Sequence, residues 1–182
     1  MIEKKELRRE MTARRDGIHG KVDASTALEN LREAIAQRPG PVSFYWPIRS
    51  EIDPRPVMES LSLTQDVCLP VTVGYAPLLF RPWQPGMELE TDAFGVSVPA
   101  TTEEVKPNTL VVPMLAFSDA GHRLGYGAGH YDRTLAELRP AGHITAIGFA
   151  YEGQRLESLP TEDTDQPLDV IVTEATIRHF AR

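Results

Sequence analysis

The sequence predicts an α/β fold: a single-domain, open, mostly parallel sheet with helices on both faces, spanning residues 1–182. Three observations carry this expectation. Apolar or β-branched runs at residues 42–46, 67–73, 109–117, 143–150 and 169–173 alternate with stretches of helical periodicity. The run Thr109-Leu-Val-Val-Pro-Met-Leu-Ala-Phe117 is almost continuously apolar, as a strand covered on both faces must be. A glycine-rich loop follows it and leads into a helical pattern, and open α/β sheets place their ligands beyond the carboxyl ends of such strands. At 182 residues the chain suits one domain with a core that needs neither disulfide nor metal to fold.

The elements follow in order. Leu7, Met11 and Ile18 share one face of a first helix, and Lys4, Arg8 and Arg15 share another; Gly17 and Gly20 end it. A second helix begins near Thr26, where Thr26-Ala-Leu-Glu29 has capping-box spacing. Leu28, Leu31 and Ile35 form its apolar stripe, and Pro39-Gly40 stops it. Val42-Ser-Phe-Tyr-Trp46 is a short strand. Asp53-Pro54 reads as an N-cap followed by proline at the first helical position, with Val57, Met58 and Leu61 facing inward. Val67 to Val73 is the next strand, interrupted by Pro70. Residues 75–99 are rich in turn signals, with Leu78-Leu-Phe80 and Met87-Glu-Leu-Glu90 as hairpin strands. Residues 109–117 take the centre of the sheet. A helix runs from about Gly129 to Leu138, and His143–Ala150 and Asp169–Thr173 are two further strands.

Composition narrows the function. Cys68 is the only cysteine, so no internal disulfide forms and a reducing compartment is expected. Set in Val67-Cys-Leu-Pro-Val71, it reads as core packing and not as a nucleophile. No apolar run approaches the roughly 20 residues that span a bilayer. The charged N-terminus has no apolar segment behind it, so neither a membrane association nor a secretory signal is expected and the location is cytoplasmic. A net charge of −7 argues against a nucleic-acid partner. The first fifteen residues nevertheless carry six cations against three acids, a net of +3 that leaves −10 for the remainder. A basic helix on an acidic chain suits a compact anion such as a nucleotide; the alternative is a solvated helix face. His19, His122, His143 and His179 show no metal-ligand spacing.

The loop Gly121-His-Arg-Leu-Gly-Tyr-Gly-Ala-Gly-His-Tyr-Asp-Arg133 carries the chemistry. Alternating Gly125, Gly127 and Gly129 let backbone amides approach an anion, and the following helix aims its positive end at the same place. Arg123 offers a guanidinium fork suited to phosphate oxygens, and Asp132, in the first helical turn, suits a divalent cation bridging phosphates. No Gly-Lys-Ser/Thr follows, and the glycine spacing is not that of a dinucleotide fingerprint. On these residues alone, a phosphate-binding loop and a tight connection whose glycines serve turn geometry stand level. Asp132 is equally a helix-start residue.

Over residues 113–133 the chain resembles the 5-formyltetrahydrofolate cyclo-ligase (methenyltetrahydrofolate synthetase) family. That family's pattern is roughly Pro-x-x-Ala-Phe-Asp-x-x-Gly-x-Arg-Leu-Gly-x-Gly-x-Gly-Tyr-Tyr-Asp-Arg; here it reads Pro113-Met-Leu-Ala-Phe-Ser-Asp-Ala-Gly-His-Arg-Leu-Gly-Tyr-Gly-Ala-Gly-His-Tyr-Asp-Arg133. The likeness extends to Lys4 and Arg8 in the first helix, Glu51-Ile52-Asp53, Phe80-Arg-Pro-Trp83, Leu159-Pro-Thr-Glu-Asp-Thr-Asp165 and Val172-Thr-Glu174, in family order. Ser118, Ala128, His130 and Thr164 depart from the pattern.

The resemblance implies an ATP- and Mg²⁺-dependent ligase acting on a small folate. The formamide oxygen on N5 attacks the γ-phosphate, and N10 then attacks the activated carbon as phosphate leaves. It implies Arg123, Tyr131 and Asp132 as catalytic residues. Lys4, Arg8 and the run Arg123, Leu124, Gly125, Tyr126, Gly127, Ala128, Gly129, His130 and Tyr131 would hold ATP. Trp46, Glu51 and Tyr126 to His130 (Tyr126, Gly127, Ala128, Gly129, His130) would line the folate side. Asp132 and Asp165 would hold Mg²⁺. Trp46 is equally a core residue at the end of an apolar strand, and Trp83 is left without a role. A monomer is expected. A non-catalytic folate-binding protein, and a nucleotide-dependent ligase or kinase for another small substrate, are the alternatives.

Overall fold

The computed structural model describes residues 4–181; Met1–Glu3 and Arg182, the ends of the predicted domain, lie outside the described residues. The elements are α1 (Lys4–Ile18), α2 (Ser25–Ile35), β1 (Val42–Ser43), α3 (Arg55–Leu61), β2 (Val67–Val71), β3 (Leu79–Trp83), β4 (Leu89–Thr91) and β5 (Ser97–Pro99). Then come β6 (Thr109–Val112), β7 (Ala116–Ser118), β8 (Arg123–Leu124), α4 (His130–Ala141), β9 (Thr145–Phe149), a 3-10 turn at Glu152–Gln154, β10 (Arg155–Leu156), β11 (Val170–Val172) and β12 (Ile177–His179). The main sheet has the order β12-β11-β9-β6-β1-β2-β3. Its five inner strands run parallel, and β12 and β3 close the two edges antiparallel.

Both faces of this sheet are covered, and alternate residues divide between them as a period-2 strand requires. Val67, Leu69, Val111, Ile147, Val170 and Val172 meet α2 and α3 through Ala27, Leu31, Ile35, Val57 and Met58. Cys68, Leu110, Val112, Ala146 and Ile171 face the other way and pack with Leu135 of α4. Full burial of each large apolar side chain stabilises the fold by about 1.5–3 kcal/mol. Helix α1 reaches the first cluster only through Ile18; its Leu7 and Met11 pack on Leu115 and on Ala116 and Leu124 of a small sheet ordered β10-β7-β8. Burial pushes the Cys68 thiol up to about 12, which fits a packed side chain and not a nucleophile.

Several sequence expectations are corrected. The run 109–117 is not one strand. Pro113 lacks the N–H that would continue the ladder, so β6 ends at Val112 in the sheet centre and β7 starts afresh in the small sheet. The predicted capping box at Thr26 does not form; α2 starts at Ser25, whose N–H and hydroxyl both donate to Oδ1 of Asp23. Pro54 sits at the cap of α3 and not inside it, while Asp53 still accepts the Arg55 N–H at 2.9 Å. The hairpin strand expected at 87–90 is Leu89–Thr91, and it pairs with Ser97–Pro99, a strand the sequence did not announce.

One feature of the topology positions the site. From β1 the chain crosses to β2 on one side and reaches β6 on the other. The order reverses there, and the carboxyl ends of β1 and β6 at such a switch point are where open α/β sheets form the crevice that takes a ligand. The loop after β1 holds Trp46 and Glu51. The segment after β6 leads through the β7–β8 hairpin to the glycine loop.

Candidate active site

The side expected to hold phosphate, here the phosphate side, is built from the glycine loop, α1 and the approach to β11. Gly129 takes the cap position of α4 with φ 69°, and no side chain caps that helix end. Its first-turn amides therefore point at the loop as an anion site. Gly127 has φ 103°, and a Cβ there would lie 3.1 Å from Cζ of Arg8. Arg8 is thus laid flat against the loop, with its Nε donating to the Gly125 carbonyl at 2.9 Å. Arg133 folds back beneath the loop and donates to the Ala128 carbonyl at 2.6 Å.

A closed chain of charges joins the remaining cations. Arg123 donates to Oδ1 of Asp132 at 2.7 Å and to the Gln166 carbonyl at 2.6 Å. The Gln166 N–H donates to the same Asp132 oxygen at 2.9 Å. Its neighbour Asp165 accepts Nζ of Lys4 at 3.0 Å, and Glu162 pairs with the same ammonium at 2.9 Å. Partial burial works against the Lys4 charge, but Glu162 and Asp165 outweigh it and hold the lysine pKa above its usual value. Asp132 and Asp165 are therefore brought side by side through Gln166. Among the described residues no third carboxylate, histidine or cysteine completes a metal cluster with them. Two carboxylates fit Mg²⁺, which keeps several waters and binds phosphate oxygens alongside one or two carboxylates.

The other half of the site is a buried polar knot. Glu51 is 4% exposed; its Oε2 accepts the Ile48 N–H at 2.9 Å and its Oε1 the Tyr126 hydroxyl at 3.2 Å. Burial raises the Glu51 pKa, against the pull of the Ile48 amide, Arg15, Tyr126 and Arg49. Arg49 holds φ 53°, the left-handed region that non-glycine residues enter at a cost, and its guanidinium lies 5.6 Å from the Tyr126 ring centre. The Tyr131 ring packs toward the second core face, and its hydroxyl is buried without a hydrogen-bond partner. Burial raises that hydroxyl's pKa; the charge of Glu51 adds to the rise and that of Arg123 opposes it.

The structure brings together Lys4, Arg8, Arg123, Asp132 and Asp165, and separately Glu51 with Tyr126. Leu124 is buried in the small sheet beside α1, so its side chain is structural and only its backbone belongs to the loop. Trp46 has other neighbours: Trp83, with ring centres 6.4 Å apart, and Arg55, 5.1 Å above its ring. His130 reaches outward, with Nε2 2.8 Å from the Gly74 carbonyl and its ring edge-on to Phe94 at 5.1 Å. Arg15, Ser50, Arg49 and Gln166 complete the site and were not expected there. For Arg15 a signal existed, since it shares the helix face of Lys4 and Arg8; for Ser50 and Gln166 there was none.

This geometry matches known proteins along its length. Residues 1–174 match the model of the 5-formyltetrahydrofolate cyclo-ligase family. The 5-formyltetrahydrofolate cyclo-ligase of Haemophilus influenzae is 34% identical over 140 residues, 72% of this chain and 74% of that one. That of Escherichia coli K12 is 32% identical over 144 residues, 75% of this chain and 79% of that one. The NMR structure of Aquifex aeolicus 5,10-methenyltetrahydrofolate synthetase superposes with a TM-score of 0.80 at 28% identity, covering 100% of this chain and 94% of that one. A synthetase structure from Mycoplasma pneumoniae shares the fold, with a TM-score of 0.73 at 20% identity over 95% of this chain and 99% of that one. By sequence and by fold alike, the chain belongs to the 5-formyltetrahydrofolate cyclo-ligase family.

Proposed function

We propose that the chain, as one domain over residues 1–182 and as a monomer in the cytoplasm, couples ATP to the closure of 5-formyltetrahydrofolate to 5,10-methenyltetrahydrofolate, releasing ADP and phosphate. One observation supports this most: Glu51, from the loop after β1, meets Tyr126, from the glycine loop, across the crevice. A folate held at Glu51 and a nucleotide held at the glycine loop then face each other. No helix among the described residues is long and apolar enough to cross a membrane. The reading gives nucleic acid no part, because the basic residues Lys4 and Arg8 are turned to carboxylates and the loop.

Phosphoryl transfer asks for positioning and charge stabilisation more than for covalent chemistry. The α4 amides, Lys4, Arg8 and Arg123 hold the triphosphate and take up charge on the γ-phosphoryl oxygens. The formamide oxygen on N5 forms a bond to γ-phosphorus as the bond to the ADP oxygen breaks. N10 then bonds to the formyl carbon and loses its proton, and the carbon–oxygen bond breaks with phosphate as leaving group. Asp132 and Asp165 would hold Mg²⁺, which would supply neutralisation of phosphate charge. The Tyr131 hydroxyl, buried and without a hydrogen-bond partner, would donate to a ligand oxygen.

Near-ultraviolet absorbance of the methenyl product, with purified protein, MgATP and 5-formyltetrahydrofolate, tests this. An ATP-dependent rise is expected. Folate binding without ATP consumption would instead indicate a binding protein. ATP binding without folate binding would indicate another substrate.

A further inference from the structure

Arg15 is the one arginine whose side chain is wholly enclosed among the described residues, at 0% exposure. Burying a guanidinium costs several kcal/mol unless its donors are matched. Here they are matched by three segments. Nε donates to the Ser50 hydroxyl at 3.0 Å, Nη1 to the Met114 carbonyl at 3.2 Å, and Nη2 to the Tyr126 hydroxyl at 2.5 Å. Ser50 belongs to the loop after β1, Met114 to the segment after β6, and Tyr126 to the glycine loop. One cation from α1 therefore ties both walls of the crevice.

Proton accounting gives the tie a direction. Arg15 can only donate, so the Tyr126 oxygen accepts from it. Tyr126 has a single hydroxyl proton, and its other partner is Oε1 of Glu51 at 3.2 Å. That proton is therefore committed to Glu51. Arg15 Nη1 also stands 4.0 Å from the same oxygen, and the Ile48 amide holds the other one. Ser50 is fixed the same way: it accepts from Arg15 and donates to Asp16, the next residue of α1. A lysine in place of Arg15 would bring the charge but not the fork that reaches Ser50, Met114 and Tyr126 together.

We propose that Arg15 is a positioning residue of this site, acting through the Tyr126 hydroxyl to aim and hold the Glu51 carboxylate against the folate. This rests on the folate reading of Glu51 given above. The Arg15→Lys and Tyr126→Phe variants and their double mutant test it through steady-state kinetics with both substrates, alongside urea unfolding. Each single variant raises KM for 5-formyltetrahydrofolate roughly tenfold or more, the worth of a hydrogen bond to a charged group. KM for ATP rises by a smaller factor than KM for the folate, and the double mutant is no worse than the worse single, since the two act on one path.

Multiplying effects, or lowered stability with both KM values unchanged, overturn the proposal. If Arg15→Lys does not fold, Tyr126→Phe decides alone, because it leaves the other Arg15 bonds in place; an unchanged folate KM then overturns it. Wild-type protein that neither binds nor converts the folate overturns the reading of the site, and the proposal with it. Active wild type with additive variants overturns the proposal alone.

Discussion

Arg123 and Asp132 form the tightest ion pair of the phosphate side, 2.7 Å apart, with the arginine side chain 5% exposed and the aspartate 27%. The pair has two consequences that one substitution confuses and two separate. Asp132→Ala leaves a nearly buried guanidinium without its anion and lowers stability by about 1.5–3 kcal/mol. Asp132→Asn keeps an acceptor for Arg123 and for the Gln166 N–H and stays closer to wild type in urea unfolding. Both lose turnover at least about tenfold if the carboxylate holds Mg²⁺, and in Asp132→Asn part of the loss returns at high Mg²⁺. An Asn variant with wild-type turnover and Mg²⁺ dependence would remove Asp132 from the metal site.

Glu51 gives the reaction an acid limb. Burial leads the shift and raises its pKa, so the carboxylate takes up a proton at higher pH than an ordinary glutamate. The sign for stability follows: the buried charge costs stability above the raised pKa, and the cost is relieved as pH falls through it. If the ionised carboxylate holds the folate, as proposed, that form is lost over the same range. Glu51→Gln removes the buried charge but turns its NH2 toward the Ile48 N–H or the Tyr126 hydroxyl and leaves Arg15 without an anion, so it is expected to gain no stability at neutral pH while losing folate affinity about tenfold. Its folate KM no longer rises on the acid side. A variant whose acid limb persists unchanged would assign that limb to another group.

What the sequence disclosed was local chemistry. The glycine loop and Asp132 stood out by residue type in one short stretch, whereas Lys4, Arg8 and Asp165 were singled out only through the family likeness. Alternating apolar residues disclosed the central strands, since Leu110 and Val112 face one way and Val111 the other. What stayed hidden depends on distant partners. Thr109 to Phe117 divides because Pro113 breaks a ladder whose neighbours lie elsewhere in the chain. β5 and β12 are three-residue strands made only by their pairing. Arg15 looked like part of a solvated face, because nothing near it in sequence reveals Ser50, Met114 and Tyr126 closing over it.

His130 stands where the family pattern has tyrosine, and it fastens the outer edge of the site. The Gly74 carbonyl can only accept, so Nε2 of His130 carries the proton between them. Its edge meets Phe94, at the tip of the hairpin whose Asp92 also accepts the Thr72 hydroxyl at 2.6 Å. His130→Ala is expected to speed amide hydrogen exchange at residues 92–96 and to raise the folate KM more than the ATP KM. Global stability falls by no more than about 1.5 kcal/mol, as for a half-buried side chain that loses one hydrogen bond. Unchanged exchange in the hairpin would show that His130 does not hold it.

The two glycines at the loop's centre give opposite expectations. Gly127 holds φ 103°, and an added Cβ would press within 3.1 Å of Arg8. Gly127→Ala therefore strains the backbone by about 1–2 kcal/mol and displaces Arg8, lowering stability and, if Arg8 holds phosphate as proposed, ATP affinity as well. At Gly125 an added Cβ meets nothing within 4 Å. Gly125→Ala is expected to fold as stably as wild type, or about 0.4–1 kcal/mol more so, because alanine restricts the unfolded chain. Any loss of ATP affinity in that variant then comes from the nucleotide itself meeting the new methyl group. Urea unfolding with and without MgATP separates the cases: Gly127→Ala shifts both curves, while Gly125→Ala loses only the stabilisation that MgATP confers. A Gly125→Ala protein that MgATP stabilises as fully as wild type would place the phosphates away from this backbone.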